Sequence, residues 1–451
     1  MERILIANRG EIAVRVIRAA RELGIKTVLA ASEPDADSYA AFLADEVQIV
    51  GPAPAAKSYL DGAAMLAAAA ASGCDALHPG YGFLSENARF ARAVIAAGIT
   101  WVGPSAEAIE LMGNKSRARQ AARDAGVPTL PGSDGALDPD VDPLPIGRAI
   151  GYPLVVKASA GGGGRGIRLV TNEQDLVQTV DVARAEAQAA FGDPAVYLEQ
   201  FVHRARHVEV QILGDGDRVI HLGDRDCSLQ RRQQKIIEEA PAPLLPDDVR
   251  DTIRTSSIEL GLQCAYSGLG TIEFLYDPGR EQAAFIEMNT RLQVEHPVTE
   301  MVTGLDLVRE QLLVAATGRL RLSQEDVSFR GHAFEFRVNA EDPSQGFMPS
   351  PGTLERLDWP GGPGVRIDSG VIAGSAVAPF YDSLLAKLVV WDESRPEAIQ
   401  RSVRALGEVR IDGVKTTLPL LSTVLQRTEV RDVTHHSKFI ESTPDLLGAD
   451  T

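Results

Sequence analysis

The first hundred residues alternate short apolar runs of β type with stretches of helical period, and few architectures accept that alternation. RILIA opens the chain at residues 3–7, EIAVRVIRAARELG and KTVLAAS follow, and CDALHPG, ENARFARAVIAAG and ITWVGP repeat the order farther on. Strands separated by helices of this length need crossover connections, so the segment predicts a parallel α/β sheet. On the helix after Gly10, Ile12, Val16, Ala19, Ala20 and Leu23 form one apolar stripe, while Arg15, Arg18 and Glu22 lie largely off it. One buried face and one charged face are expected.

Beyond that sheet the pattern changes. An Asp-, Pro- and Gly-rich stretch, Ser133 to Gly147, breaks the periodicity and reads as a connector. PLVVKAS, GGGGRG and IRLV then read as a glycine-linked hairpin, followed by a helix over roughly Asn172 to Phe191. From Val196, YLEQF, HVEVQIL and DRVIHLGD predict an antiparallel sheet, to which TIEFLY and AAFIEMN add strands. A helix around Leu305 to Thr317 and a Pro- and Gly-dense stretch from Glu341 to Gly364 lead into a third, mostly β region with a C-terminal helix. The fold class is therefore α/β followed by α+β, and 451 residues allow about three domains.

Charge restricts the ligands. Lys and Arg number 45 against 62 Asp and Glu, a formal net charge of −17, which argues against nucleic acid or an anionic membrane as a partner through bulk charge. Any anionic ligand must meet a local basic cluster. The three cysteines, Cys74, Cys227 and Cys264, form no CxxC pair, so neither a disulfide framework nor a structural zinc site is expected. The opening MERILIANRGE lacks the apolar core of a signal peptide, and the most apolar run, Ala63 to Ala71, is too short to span a bilayer. A cytoplasmic location is the expectation.

Four motifs carry chemistry. Gly161 to Gly166 satisfies GxGxxG, but β-type IRLV follows where a dinucleotide fingerprint needs a helix, and Ile167 and Arg168 stand where a Walker loop needs Lys and Ser or Thr. What remains is either a surface turn or a hairpin whose bare N–H groups, beside Lys157 and Arg165, close over phosphates. In IEMNTRLQVEH, residues 286–296, Glu287, Asn289, Arg291, Gln293 and Glu295 sit two apart. An extended chain puts all five on one face, an order of acid, amide, guanidinium, amide and acid suited to lining a site. Glu273 in GTIEFLY is the natural partner: if its strand pairs with AAFIEMN, two carboxylates converge as oxygen ligands for Mg²⁺ on nucleotide phosphates. CSLQRRQQKIIEEAP gathers Arg231, Arg232 and Lys235, either a solvated face or positive charge for a γ-phosphate and a second anion. His207 in HVEVQ and Tyr81 in HPGYGFLSEN read no further alone than a core histidine and a turn residue.

Taken in order, IANRGEIA, HPGYGFLSEN, MGNKSRAR, KASAGGGGRG, RHVEVQ, DCSLQRRQQK, EEAPAP, FIEMNTRLQVEHPVTE, NAEDP and YDSLLAK resemble the biotin carboxylase family, within the ATP-grasp superfamily. The resemblance implies a Rossmann-like N-terminal domain (1–112), an ATP-grasp domain (113–325, with a glycine-rich lid at about 132–202) and a β-rich C-terminal domain (326–445). Its reaction is ATP- and bicarbonate-dependent carboxylation of biotin through carboxyphosphate. Residue by residue, Lys115, Lys157, Gly163 and Gly164 would meet ATP phosphates, Glu199, Gln200, Phe201 and Val202 would hold adenine, and His207, Gln230 and Gln233 would approach the nucleotide. Glu273, Glu287 and Asn289 match the Mg²⁺ or Mn²⁺ ligands; Glu273 and Glu287 thereby also face ATP. Lys235, Arg291, Gln293 and Val294 match the bicarbonate site, Glu295 the general base, and Arg337 with Tyr81 the biotin site.

One departure is visible, since many members have His where this chain has Gln233, and Gln cannot carry positive charge. The implied partners are a biotin carboxyl carrier protein, carboxyltransferase subunits and a second copy, with Arg15, Arg18 and Glu22 near the subunit interface. None of the six methionines precedes a lysine, so the Met-Lys dipeptide of a biotinylation site is absent and biotin is expected as a substrate borne elsewhere. Acyl-CoA is the expected final acceptor, although pyruvate and urea carboxylases use similar modules. A carbamoyl-phosphate or purine-pathway ligase would share Lys115, Lys157, Glu273 and Glu287, but RLQVEHPVTE with Arg337 discriminates against it. A noncatalytic nucleotide-binding subunit would lack an acid, lysine or arginine that this chain keeps.

Overall fold

A computed structural model describes residues 1–160 and 166–447. The N-terminal strands β1 (Arg3–Ile6), β2 (Lys26–Ser32), β3 (Glu46–Gly51), β4 (Ala76–His78) and β5 (Thr100–Trp101) form a wholly parallel sheet in the order β3-β2-β1-β4-β5. Ile4, Leu5 and Ile6 are buried on both faces of the central strand, as an apolar run in a covered parallel sheet requires.

The helix Gly10–Glu22 departs from the expected two-faced pattern. Ile12, Val16, Ala19 and Ala20 are buried as foreseen, but so are Glu11, Val14, Arg15 and Ile17. The helix is wedged between its own sheet, the helix Leu307–Thr317 and the strand Val365–Ser369, so its second face is also covered. Arg15 is not a surface charge; its guanidinium bonds Glu300 at 2.8 Å and Asp306 at 2.5 Å, tying the N-terminal sheet to the centre of the molecule. Arg18 and Glu22 remain exposed.

In the central segment the expected hairpin has a third strand, taken from the expected antiparallel sheet. β6 (Leu154–Ala158), β7 (Ile167–Val170) and β8 (Val196–Gln200) form a separate antiparallel sheet in the order β7-β6-β8, with Leu154 opposite Val170 and Gln200. YLEQF thus belongs with the hairpin, because Leu154, Val156, Val170, Leu176, Val180, Val196 and Leu198 bury one another in a small core of their own. The helix after the hairpin runs Leu176–Phe191 and stops at Gly192, whose φ of +75° suits glycine. The connector is shorter than expected: Asp142 caps a helix Pro143–Ile150 by accepting from the Leu144 N–H, with proline at the first position where its missing N–H costs nothing.

The larger sheet has eight strands. β9 (Arg206–Asp215), β10 (Val219–Arg231), β11 (Gln234–Ala240), β12 (Ser267–Asp277), β13 (Gln282–Asn289) and β14 (His332–Asn339) join the strands Leu384–Asp392 and Val365–Ser369. Their order is β13-β12-β9-β10-β11-β14, then Leu384–Asp392 and Val365–Ser369, every neighbour antiparallel. The sheet therefore runs unbroken from the central segment into the C-terminal one. Around it the C-terminal part adds three helices, Arg395–Glu408, Leu418–Leu425 and Thr428–Arg431, where one was expected.

Candidate active site

The strand carrying IEMN ends at Asn289; residues 290–295 turn, and the helix His296–Thr303 starts with Glu295 at its N-cap. The five polar groups from Glu287 to Glu295 thus do not line one extended face. The turn still gathers most of them, because the helix begins with Pro297 near its start and cannot continue the sheet. The pairing foreseen between TIEFLY and AAFIEMN is present, with Glu273 directly opposite Glu287 and Thr271 opposite Asn289.

Lys235, near the start of β11, sits at the centre. Its Nζ lies 2.6 Å from Glu209, 3.0 Å from Glu273 and 2.5 Å from Glu295. Burial alone would lower its pKa, but the three carboxylates hold it well above the usual lysine range. In return Lys235 helps keep Glu209, Glu273 and Glu295 ionised against burial, which would push each carboxyl up. His207 lies 3.2 Å from Glu273, and although burial would lower its pKa, the carboxylate raises it to about 9. Gln293 donates to Glu273 at 3.0 Å, Asn289 donates to Glu273 at 2.8 Å, and Arg291 donates to Asn289 at 3.1 Å.

On the far side of Glu295, Arg337 bonds Glu295 at 2.9 Å and Glu238 at 2.6 Å. Burial raises the Glu238 pKa to about 7 despite Arg337. Glu335, opposite Glu238 in the sheet, is completely buried and neither carboxyl oxygen has a hydrogen-bond partner. Burial holds that carboxyl far above its ordinary range.

Lys115, first residue of the helix Lys115–Asp124, lies 3.4 Å from Glu287. Lys157 on β6 pairs with Glu199 on β8, which Arg119 also holds at 2.9 Å; Gln200 accepts from Arg280 at 3.2 Å, and Phe201 and Val202 continue from it, half-buried. Tyr81 donates to buried Glu11 at 2.5 Å, and the Arg337 charge is among those acting on it. Gln230 is buried opposite Lys235, and the Val294 carbonyl accepts from Lys387 at 2.8 Å. Gln233 is not part of the cluster: with Arg232 it makes the two-residue turn between β10 and β11, both at positive φ, and it is exposed. Gly163 and Gly164 lie outside the described residues.

Several participants were missed. Glu209 and Gln211 alternate with His207 along β9, and the same period-two rule used for residues 287–295 places them on one face. Arg225 bonds Glu209 at 2.6 Å, Gln211 at 2.8 Å and Gln293 at 2.9 Å, fully buried; its segment, GDRDC, adjoins the basic run that drew attention instead. Glu86 holds Arg291 at 2.9 Å.

Glu273, Glu287 and Asn289 offer two carboxylates and an amide oxygen from adjacent strands, a hard oxygen set that suits Mg²⁺ or Mn²⁺. Among the described residues His207, Glu209 and Glu273 also bring ligand atoms within 4.8 Å of one another, but Arg225 and Lys235 already neutralise that trio. No helix is long and apolar enough to cross a membrane among the described residues.

Three family models match in succession: the biotin carboxylase N-terminal domain at residues 1–109, the carbamoyl-phosphate synthase L chain ATP-binding domain at 114–323, and the biotin carboxylase C-terminal domain at 335–442. The chain is similar to the biotin carboxylase of Pseudomonas aeruginosa, 52% identical over 434 residues that cover 96% of this chain and 95% of that one. The structure of a Campylobacter jejuni biotin carboxylase–β-γ-ATP complex matches with a TM-score of 0.93 at 44% identity, covering 98% of each chain. The biotin carboxylase domain dimer of Hydrogenobacter thermophilus 2-oxoglutarate carboxylase, bound to MgADP, ADP and bicarbonate, matches with a TM-score of 0.92 at 46% identity, covering 99% of this chain and 98% of that one. With three family models in succession and full-length relatives at about half identity, the chain belongs to the biotin carboxylase family.

Proposed function

We propose a division of labour for the reaction of this family, the ATP- and bicarbonate-dependent carboxylation of biotin. The observation that carries it is the sharing of Glu295 between Lys235 and Arg337. Lys115 and Lys157, with Gly163 and Gly164, take the ATP phosphates, and the Glu199–Val202 segment takes adenine beside His207 and Gln230. Lys235 and Arg291 screen the repulsion between bicarbonate and the γ-phosphate and stabilise charge on the transferring phosphoryl group. Glu273, Glu287 and Asn289 would hold Mg²⁺ or Mn²⁺, which supplies further neutralisation of phosphate charge when bound.

Glu295 removes the bicarbonate proton as the bicarbonate oxygen attacks phosphorus and ADP leaves, giving carboxyphosphate. Held by Lys235 and Arg337, which outweigh the burial that would raise its pKa, this carboxylate is a weak base. Substrate anions that draw the two cations toward themselves would free it and raise its basicity. Proton removal is thereby linked to substrate occupancy. Carboxyphosphate then breaks to CO₂ and phosphate, phosphate takes the ureido proton of biotin, and Arg337 stabilises the enolate that attacks CO₂.

The division at 112/113 and 325/326 separates these duties only in name, since Lys235 and Arg337 sit on adjacent members of one sheet. A biotinylated carrier protein, carboxyltransferase subunits and a second copy of the chain are the partners in this reading, with the reducing interior of the cell as its setting. Phosphate release from ATP, measured with and without bicarbonate and biotin, tests it. Release that requires bicarbonate and rises with biotin is expected; ATP cleavage indifferent to both would overturn it.

A further inference from the structure

Arg337 stands on β14 with a carboxylate on either hand. Its Nε donates to Glu238 Oε1 at 2.6 Å and one of its terminal nitrogens to Glu295 at 2.9 Å. Glu295 is also held by Lys235, whereas Glu238 has no other ion pair among the described residues, and its Oε2 is buried without a hydrogen-bond partner. Directly across the ladder from Glu238 stands Glu335, and residues so opposed bring their Cβ atoms to about 4.5–5.5 Å. Glu335 is completely buried with both carboxyl oxygens unpartnered. It also lies two residues before Arg337, on the same face of the strand.

The surroundings decide the charge on Glu335. Lys387, opposite Arg337 on the strand Leu384–Asp392, is the other cation on this face, and its ammonium is taken by the Val294 carbonyl at 2.8 Å and by Glu11 at 3.1 Å. The helix His296–Thr303, packed over the same strands, brings Val298 and Val302 to them; its own titratable groups are engaged, His296 through Nδ1 with the Gln293 carbonyl and Glu300 with Arg15 and Arg366. Two facing carboxylates cannot both ionise in a dry space served by one shared guanidinium. Burial, with the charges of Glu238 and Glu295 behind it, outweighs Lys387 and Arg337 and keeps Glu335 protonated. A protonated carboxyl carries one O–H donor, and Glu238 Oε2 is the unpartnered acceptor across the ladder.

We propose that Glu335 is a positioning residue for biotin carboxylation: its carboxyl donates a hydrogen bond to Glu238 Oε2, which fixes Glu238 as the anion that anchors Arg337 and leaves the other arm of that guanidinium to pass from Glu295 to the biotin enolate. The inference rests on the assignment of Arg337 to biotin made above. Without the donor, Glu238, which burial brings up to a pKa of about 7, takes a proton near neutrality, and Arg337 falls back on Glu295 alone.

The readout is the ratio of phosphate release with biotin to release without it, at saturating ATP and bicarbonate, in the full chain. Glu335→Gln keeps volume and donor, and its ratio should match that of the unmutated chain within about twofold. Glu335→Met keeps volume and loses the donor; relative to Glu335→Gln its ratio should be about tenfold lower at about pH 6 and recover to within about twofold at about pH 8, as Glu238 ionises through about 7. Glu238→Gln, which cannot ionise, should show the low ratio at both pH values. A fall shared by release with and without biotin leaves the ratio unchanged; that result in Glu335→Met would make Glu335 structural only and overturn the proposal. A deficit in Glu335→Met that does not close with pH, a Glu335→Gln ratio as low as that of Glu238→Gln, or an unreduced ratio in Glu238→Gln would overturn it too. Should Glu335→Met yield no folded protein, the two glutamine variants decide by the same criteria. An unmutated chain whose phosphate release biotin does not raise would instead overturn the functional assignment beneath the proposal.

Discussion

At Lys235 a single ammonium is shared by three carboxylates, and without it Glu209, Glu273 and Glu295 would face one another in a buried space. Glu295→Gln keeps the volume and removes the base; ATP binding should stay nearly intact while bicarbonate-dependent ATP cleavage falls by about 100-fold or more, as phosphate release and nucleotide titration would record. Unchanged turnover would remove Glu295 from that role. Glu287→Ala leaves Glu273 and Lys235 in place, so the half-saturating Mg²⁺ concentration should rise by about tenfold or more in a metal titration of activity. At this scale the sequence was informative wherever spacing was the signal. Glu287 and Asn289 followed from period-two reasoning, Glu273 from the expected pairing of its strand with theirs, and Glu209 and Gln211 would have followed from applying period two to β9. Glu238 and Glu335 could not, because their importance lies in facing each other across β11 and β14, a pairing between segments about a hundred residues apart.

The element that departs furthest from its surroundings is the small sheet of β6, β7 and β8. It joins the body through two strands of chain, with Gln200 donating its N–H to the Pro131 carbonyl at 2.8 Å and Ser133 to Leu198 at 2.9 Å. Gly132 sits between them, where an added Cβ would lie 2.5 Å from both the Leu198 carbonyl oxygen and the Arg119 guanidinium. Gly132→Ala should therefore lower stability by about 1–3 kcal/mol and, by displacing the Arg119–Glu199 pair, weaken ATP binding; thermal denaturation and nucleotide titration report the two effects. A mutant matching the parent in both would show that the junction yields freely. The hairpin was legible because glycines separate two apolar runs. The membership of YLEQF was not, since a strand's sequence states its burial and leaves its partner open, and the end of β13 at Asn289 was hidden because alternation continued past the strand.

Across the molecule, buried ion pairs connect what the sequence divides. Arg15 reaches Glu300 and Asp306, Lys387 reaches Glu11 at 3.1 Å, and Arg395 and His332 both reach Glu239. Burial would raise the Glu239 pKa, but Arg395 and His332 bring it down from 4.5 to about 2. A folded-state pKa below the unfolded value gives stability that is present above about 4.5 and lost as pH falls through about 2. Glu239→Gln should accordingly unfold at lower urea than the parent at pH 7, by about 3 kcal/mol, with the gap closing as pH falls toward 2; a gap independent of pH would contradict the assignment. The alternating α/β pattern and the switch to antiparallel strands were legible because they are local. The burial of Glu11, Val14, Arg15 and Ile17 on the helix Gly10–Glu22 was not, because that second covering comes from residues around 310 and 367.

The unbroken eight-stranded sheet sets a rule for what can move. Lys235 on β11 and Arg337 on β14 are mounted on neighbouring rails of one frame, so in the division of labour proposed above the place where phosphate leaves ATP and the place where biotin is deprotonated keep a fixed separation. An intermediate as short-lived as carboxyphosphate has no journey to make between two sites that drift apart.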